Sequence, residues 1–151
     1  MKKERLPQSF VQRIEGLLGD DAGNFFNALA TPPPVAVRFN DAKIQNADIA
    51  GLPLEKPVPW SSYGYYLSER PLFTLDPLIH AGVYYVQEPS SMFLDQVLQQ
   101  YVSVHPETRI LDLAAAPGGK STLIASFLAG KGLLVANEII PNRNAILQEN
   151  L

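Results

Sequence analysis

A carboxylate, a run of small residues and a lysine follow one another near the middle of the second half of the chain. Residues 110–120 read ILDLAAAPGGK, so Asp112 closes an apolar segment and a loop of alanine, proline and glycine follows it. A second apolar segment at 133–137 leads into Glu138, about 20 residues beyond the glycine pair, the separation at which a carboxylate reaches ribose hydroxyls in nucleotide-binding folds. The pattern predicts strand, loop, helix and strand, with both carboxylates at the ends of parallel strands. It indicates a site for a molecule that carries a ribose.

A phosphate-binding loop is the first candidate, because Ala114 is followed at the right spacing by Gly119, Lys120 and Ser121. Such a loop cradles phosphate with successive backbone N–H groups. Pro117 removes one of those donors, and Ala114 lacks the backbone freedom of the usual glycine. The sequence therefore disfavours nucleoside triphosphate binding, although a P-loop-like protein stays open as an alternative.

The other candidates are a dinucleotide and S-adenosylmethionine (SAM). The G-x-G-x-x-G spacing that lets a pyrophosphate approach the backbone is absent. SAM has no phosphate, but it carries a ribose and a zwitterionic methionine end, which Glu138 and Asp112 respectively could bind. A structural turn without ligand is the remaining alternative, because glycine pairs mark many turns. The predicted cofactor-binding residues are Asp112, Ala114, Ala115, Ala116, Pro117, Gly118, Gly119, Lys120 and Glu138.

Four stretches carry a resemblance to a known family: 111–122, 84–92, 136–138 with Arg143 and Leu147, and 32–40. Residues 111–122 resemble the first cofactor motif of the Nop/Sun RNA cytosine-C5 methyltransferases, and residues 84–92 resemble the signature before the catalytic domain of that family. Residues 136–138, with Arg143 and Leu147, resemble its second cofactor motif, and residues 32–40 resemble an N-terminal strand of the family. The sequence is most similar to the bacterial ribosomal RNA methyltransferase branch. The resemblance implies SAM as cofactor, held by 114–120 and Glu138, and RNA as partner, with ribosomal RNA as the first expectation and transfer RNA as the alternative.

Catalysis in that family uses a cysteine thiolate that attacks C6 of the cytosine and a second cysteine that helps to release the product. The 151 residues contain no cysteine. We therefore expect no catalytic residue in this chain, and we expect it to be an N-terminal portion that is inactive alone. A non-catalytic RNA-binding module is a further alternative. Arg38 and Arg143 are the candidates for RNA contact.

Composition limits the other function classes. A net charge of −3 gives no sign of a dedicated nucleic-acid binder. The absence of cysteine excludes disulfides and thiolate metal sites, and with only His80 and His105 present we predict no metal site. The N-terminus does not resemble a secretion signal, and no apolar run is long enough to span a membrane. We expect a cytoplasmic protein.

The elements that position the motif are predicted as an α/β fold: the start of a Rossmann-like methyltransferase sheet, preceded by a small α+β region. The domains are predicted at 1–87 and 88–151. Strands are expected at 35–39, 63–67, 83–86, 109–113 and 133–137. Helices are expected over 7–29 in two pieces, around 42–49, from a Ser90 or Ser91 cap to 101, and over 141–151.

Three further expectations concern the N-terminal region. The alternation at 35–39 predicts that Arg38 points away from the packed face. Residues 50–60 are expected to be a proline-rich loop. The tyrosines at 63–66 and 84–85 fit a half-buried sheet better than a base-stacking surface.

Overall fold

The computed structural model describes residues 6–44 and 51–151. The chain divides into two compact units, Met1–Pro33 and Pro34–Leu151. The predicted boundary at 87/88 falls inside the second unit and stays a prediction. Of the helix predicted around 42–49, residues 42 and 43 lie in a turn, and 45–50 lie outside the described residues.

The first unit consists of two helices, as predicted. α1 (Gln8–Leu18) follows Pro7, and a short 3-10 turn leads into α2 (Ala22–Ala30). Phe10 packs on Phe25 with ring centroids 6.3 Å apart, and Phe26 is buried. The prolines at 32–34 follow the end of α2, where they cannot continue a helix.

The second unit begins with a four-stranded antiparallel sheet. Its strands are β1 (Val35–Phe39), β2 (Leu54–Pro57), β3 (Gly64–Leu67) and β4 (Tyr84–Val86), in the order β2-β3-β1-β4. In the centre of the sheet, Val37 is paired with residues of both neighbouring strands. The core on one side contains Val37, Phe39 and Tyr84, the last only 2% exposed. The tyrosines therefore serve mainly as sheet residues, although Tyr63 is 43% exposed.

Two predictions for this region are wrong. Residues 54–57 form strand β2 and not a loop, because a proline-rich segment is compatible with an edge strand, where no ladder hydrogen bond is lost on the open side. The prediction that Arg38 points away from the packed face is also wrong, because the second face of β1 is covered too and Arg38 is only 5% exposed. On that face, Ala36 of β1 packs with Val58 and Met92.

The connection between the antiparallel sheet and the next strand contains α3 (Pro77–His80), which the sequence analysis missed, and a 3-10 segment Pro89–Phe93 before α4 (Leu94–Tyr101). The cap of that 3-10 segment is Glu88 and not a serine, because its carboxylate accepts hydrogen bonds from the backbone N–H groups of Ser90 and Ser91. Trp60 Nε1 donates to the Pro89 carbonyl at 2.7 Å and so ties the β2–β3 connection to this segment.

The parallel sheet has two strands, as expected. β5 (Arg109–Asp112) pairs with β6 (Leu133–Ala136), and α5 (Gly119–Leu128) connects them; α6 (Pro141–Asn150) follows. Ile110 and Leu134 pack on one face against α4 and α5. The other face leaves Leu111, Leu133 and Val135 between 48% and 58% exposed. This is the start of a Rossmann-like fold, and the predicted fold class is confirmed.

Within 6–44 and 51–151, every helix is too short or too polar to serve as a membrane span.

Candidate functional site

Asp112 lies at the carboxyl end of β5 and holds the start of the following loop. Its Oδ2 accepts from the Ser121 hydroxyl at 2.7 Å, and its Oδ1 accepts from the Ala114 N–H at 3.3 Å. Ser121 is completely buried in the first turn of α5. The carboxylate thus joins the two ends of the loop, and its remaining lone pairs are available to a ligand.

The loop turns into α5 at Gly118, whose φ of +119° favours glycine. A Cβ at this position would lie 3.2 Å from the Cβ of Asn150. Gly118 is the N-cap of α5, and no side chain caps the helix there. The N–H groups of the first turn have no partner within a helix, so they form a site for an acceptor or an anion.

Side chains from β6 onward hold the carbonyl groups of the loop. Asn137 Nδ2 donates to the Leu113 carbonyl at 2.9 Å, Arg143 donates to that of Ala116, and Asn150 donates to that of Pro117 at 2.7 Å. The backbone of Asn137 is also bonded to both ends of the turn, to Asp112 and Ala115. The loop is therefore fixed by the second strand and by α6.

Glu138 follows β6 and is oriented by its own neighbours. Its Oε1 accepts from the Ile140 N–H at 3.0 Å, and its Oε2 lies 3.4 Å from Arg143 Nη1. That ion pair lacks hydrogen-bond geometry, so Oε2 is buried without a hydrogen-bond donor. The side chain is only 3% exposed, whereas that of Arg143 is 48% exposed.

Apart from Gly118 and Gly119, which begin α5, the predicted site residues divide into three groups. Asp112 is the last residue of β5 and Glu138 lies two residues beyond β6, so both are at the carboxyl ends of adjacent parallel strands. Ala115 and Ala116 are 4% and 6% exposed and pack on Leu147, so their side chains contribute to the core. Ala114, Pro117 and Lys120 are exposed.

Of the two candidates for RNA contact, Arg38 is buried and donates hydrogen bonds to Gln87 and Thr122. Arg143 is half-exposed and contacts the Ala116 carbonyl and the Glu138 carboxylate.

Several residues that shape the site were missed by sequence reasoning: Gln87, Ser121, Thr122, Asn137 and Asn150. Asn137 could have been found from its place between the strand and Glu138. Asn150 could not, because its contact with Pro117 depends on how α6 packs.

A cavity of about 560 Å³ lies elsewhere in this unit and does not include the strand ends. Arg38, Lys43, Tyr85, Thr122 and Asn150 are among its lining residues, whereas Asp112 and Glu138 are not. The case for a binding site therefore depends on the two carboxylates and the uncapped start of α5, and not on this cavity. The described residues also contain no cluster of three or more His, Asp or Glu side chains that could hold a metal ion.

Comparison with known proteins gives matches along both halves of the chain. Residues 6–89 match the N-terminal domain of 16S rRNA methyltransferase RsmF, and residues 99–151 match the 16S rRNA methyltransferase RsmB/F family. Ribosomal RNA small subunit methyltransferase F of Vibrio atlanticus is 33% identical over 97% of this chain and 33% of its own length. The protein of the same name from Shewanella woodyi is 34% identical, with the same coverage. The chain thus spans about a third of these relatives.

Solved structures show the same fold. A methyltransferase homolog protein from Pyrococcus horikoshii has a TM-score of 0.80 and 30% identity, over 97% of this chain and 49% of that one. NSun6 from Pyrococcus horikoshii, solved with SFG, has a TM-score of 0.79 over 95% of this chain and 62% of that one; at 18% identity this likeness shows the fold alone. The predicted family is confirmed: the chain belongs to the family of the 16S rRNA methyltransferase RsmF.

Proposed function

We propose that this chain contributes the first part of the cofactor site of a SAM-dependent ribosomal RNA (cytosine-C5) methyltransferase. The observation that carries the proposal is the pair of carboxylates at the carboxyl ends of two adjacent parallel strands, Asp112 as the last residue of β5 and Glu138 two residues beyond β6, together with the uncapped helix α5 that follows the loop after Asp112. Membership of the RsmF family supports ribosomal RNA as the substrate, with transfer RNA as the alternative, and a cytoplasmic location.

The described residues fit the cofactor. The methionine end of SAM carries a carboxylate and an ammonium group, which match the first-turn N–H groups of α5 and the carboxylate of Asp112. A ribose offers two hydroxyl donors, and Glu138 Oε2 is a buried acceptor without a hydrogen bond. Lys120 is exposed beside this site and is free to approach an RNA phosphate.

Glu138 cannot bind a ribose in the orientation described here, because Oε2 is inaccessible to solvent. Either the carboxylate rotates or the half-exposed Arg143 side chain moves away from it. Arg143 would then remain bonded to the Ala116 carbonyl, keeping the loop in place. This proposal makes Arg143 a brace that is partly released when the cofactor binds.

The chain's own residues bind and orient; they supply no nucleophile. When bound, SAM provides the methyl group. The thiols that the family uses on the cytosine must come from outside these 151 residues, which contain no cysteine.

Magnesium-dependent nucleotide binding is disfavoured by one specific contact. A P-loop needs its Ser or Thr hydroxyl on the metal. Ser121 is completely buried, and its hydroxyl is already bonded to Asp112.

Calorimetry on the whole protein with SAM, S-adenosylhomocysteine and ATP with magnesium tests the proposal. We expect both adenosyl compounds to bind and ATP not to bind. Binding of ATP alone would replace the proposal with the P-loop alternative. Binding of RNA transcripts without either adenosyl compound would identify a non-catalytic RNA-binding module.

A further inference from the structure

Arg38 is a buried cation whose role the cofactor motifs do not explain. It lies on β1 of the antiparallel sheet and is 5% exposed. Its Nε donates to Gln87 Oε1 at 2.9 Å, and its Nη2 donates to Thr122 Oγ1 at 2.7 Å. Thr122 belongs to the first turns of α5, so the guanidinium links the antiparallel sheet to the helix that begins at the cofactor loop.

Thr122 passes this contact on to the loop. Its hydroxyl lies 2.9 Å from the Gly118 carbonyl and 3.2 Å from that of Gly119, and its backbone N–H donates to Gly118 at 2.8 Å. The single hydroxyl hydrogen is donated to one of these carbonyls or shared between them, while a lone pair on the oxygen accepts from Arg38. Such a chain of hydrogen bonds strengthens each of its members, and here it begins at a charged donor.

The charge of Arg38 is costly where it lies. Burial lowers its pKa to about 10, while Asp95, Asp41 and Tyr85 act in the opposite direction, so the group stays charged at neutral pH. None of the carboxylates of the described residues forms an ion pair with it. It also approaches the positive end of the α5 dipole. Since a buried cation without an ion pair does not favour folding, its presence needs another explanation.

We propose that Arg38 is a positioning residue for the cofactor loop. Through Thr122 it fixes the carbonyl of Gly118, and with it the direction of the first-turn N–H groups of α5. Gln87, which follows β4, orients the guanidinium of Arg38. In this region β4 and the start of α5 lie so close together that a Cβ added at Gly119 would be 3.2 Å from the ring of Tyr85. The antiparallel sheet then contributes to the cofactor site through Arg38 and Gln87 alone. This inference rests on the proposed function.

The test uses SAM affinity in the whole protein. We expect Arg38→Met and Thr122→Val each to weaken binding by about tenfold, the lower end of the effect of a hydrogen bond to a charged group. Thr122→Ser keeps the hydroxyl and should bind within about twofold of the wild type. The double variant Arg38→Met/Thr122→Val should be no weaker than either single variant, because the two residues act in one chain.

Val37→Ala is the matched control for loss of stability. Val37 is fully buried on the same strand, so its truncation destabilises the sheet, but it lies outside the hydrogen-bond chain. It should lower the melting temperature and leave SAM affinity unchanged. Equal losses of affinity in Val37→Ala and Thr122→Val would overturn the inference in favour of a merely structural role.

Hydrogen exchange without ligand separates this inference from the proposed function. The Thr122 amide should exchange faster in Arg38→Met, and should be unchanged in Val37→Ala under conditions where both are folded. If Arg38→Met does not fold, Thr122→Val is used with the amide of Leu123.

If the wild type binds no SAM, the proposed function fails while the exchange result still decides the role of Arg38. If SAM binds but neither affinity nor exchange changes in the variants, the inference alone fails.

Discussion

Asp112 ends β5 and Glu138 lies just beyond β6, yet the two carboxylates are held differently. Asp112 accepts hydrogen bonds from Ser121 and Ala114, so it organises the loop before any ligand arrives. Glu138 has one oxygen bonded to Ile140 and the other facing Arg143 without a hydrogen bond. Substitution of Asp112 therefore perturbs the loop as well as the ligand, whereas substitution of Glu138 is the cleaner test of ligand contact.

Glu138→Ala should weaken SAM binding by about 1–3 kcal/mol, because it removes a buried acceptor for the ribose hydroxyls. Calorimetry at fixed pH measures the change. Glu107→Ala, which removes an exposed carboxylate before β5, is the control and should bind normally. Unchanged affinity in Glu138→Ala would remove the ribose assignment.

The positions of residues in the fold could be predicted where they depend on local spacing. Asp112 and Glu138 follow apolar strands, and that order fixes them at one sheet edge. Arg38 was misjudged because alternation along a strand does not reveal that both faces are covered. Its partner Thr122 is far away in sequence, and no local pattern connects the two.

Among the elements, the connection between α5 and β6 contains two glycines with similar backbone angles and different surroundings. Gly130 has a φ of +77°, and a Cβ added there would have no atom within 4 Å. Gly132 has a φ of +76°, but a Cβ added there would lie only 2.4 Å from the carbonyl oxygen of Thr108. Thr108 precedes β5, so the close approach sets the register of the parallel pair.

Gly132→Ala should therefore destabilise the protein more than Gly130→Ala. We expect about 1 kcal/mol for Gly130→Ala, from the left-handed backbone alone. Gly132→Ala adds a backbone clash that forces the strands apart, and we expect a total above about 3 kcal/mol. Urea unfolding of both variants measures the difference, and equal losses would contradict the role of the close approach.

The 3-10 segment after β4 should lose stability in acid, because its cap is a carboxylate. Hydrogen bonds from Ser90, partly opposed by desolvation, lower the pKa of Glu88 below its ordinary 4.5. Because the pKa of Glu88 is lower in the folded protein than in the unfolded chain, its ionised carboxylate stabilises the fold fully at a pH above the unfolded-state pKa. This stabilisation is lost as the pH falls through the folded-state pKa. The stability advantage of the wild type over Glu88→Gln should be complete at about pH 6 and should shrink as the pH falls below the ordinary carboxyl pKa of 4.5. A constant difference in unfolding free energy over that range would exclude Glu88 as the cap.

The elements were predictable where apolar periodicity is strong. α1, β1, β5, β6 and α6 lie within two residues of their predicted bounds. β2 was missed because it contains Pro57 and lies between Pro53 and Pro59, and its pairing with β3 is set by tertiary packing. The Glu88 cap was missed because two serines follow it, and serine is itself a favoured cap.

At the scale of the whole molecule, the parallel sheet is covered on one face only. Leu111 and Val135 are register partners on the open face, beside Leu133. Parallel sheets are normally buried on both faces, and both strands of this pair are also edges. A surface of this kind favours association.

The 151-residue chain should therefore self-associate when prepared alone, and Leu111→Thr/Val135→Thr should reduce the association without affecting α5. Sedimentation velocity over a range of concentrations measures both. A monodisperse monomer of the unsubstituted chain would contradict the prediction.

The bond from Trp60 to Pro89 gives the molecule a built-in optical reporter. The chain has a single tryptophan, and its indole lies where the antiparallel sheet meets the segment leading into α4, packed near Met92. Its emission therefore comes from one junction and from no other part of the chain. A red shift of the Trp60 emission would indicate that the antiparallel sheet and the 89–93 segment have separated and exposed the indole to water. A folding or ligand titration could therefore follow this separation without an attached dye.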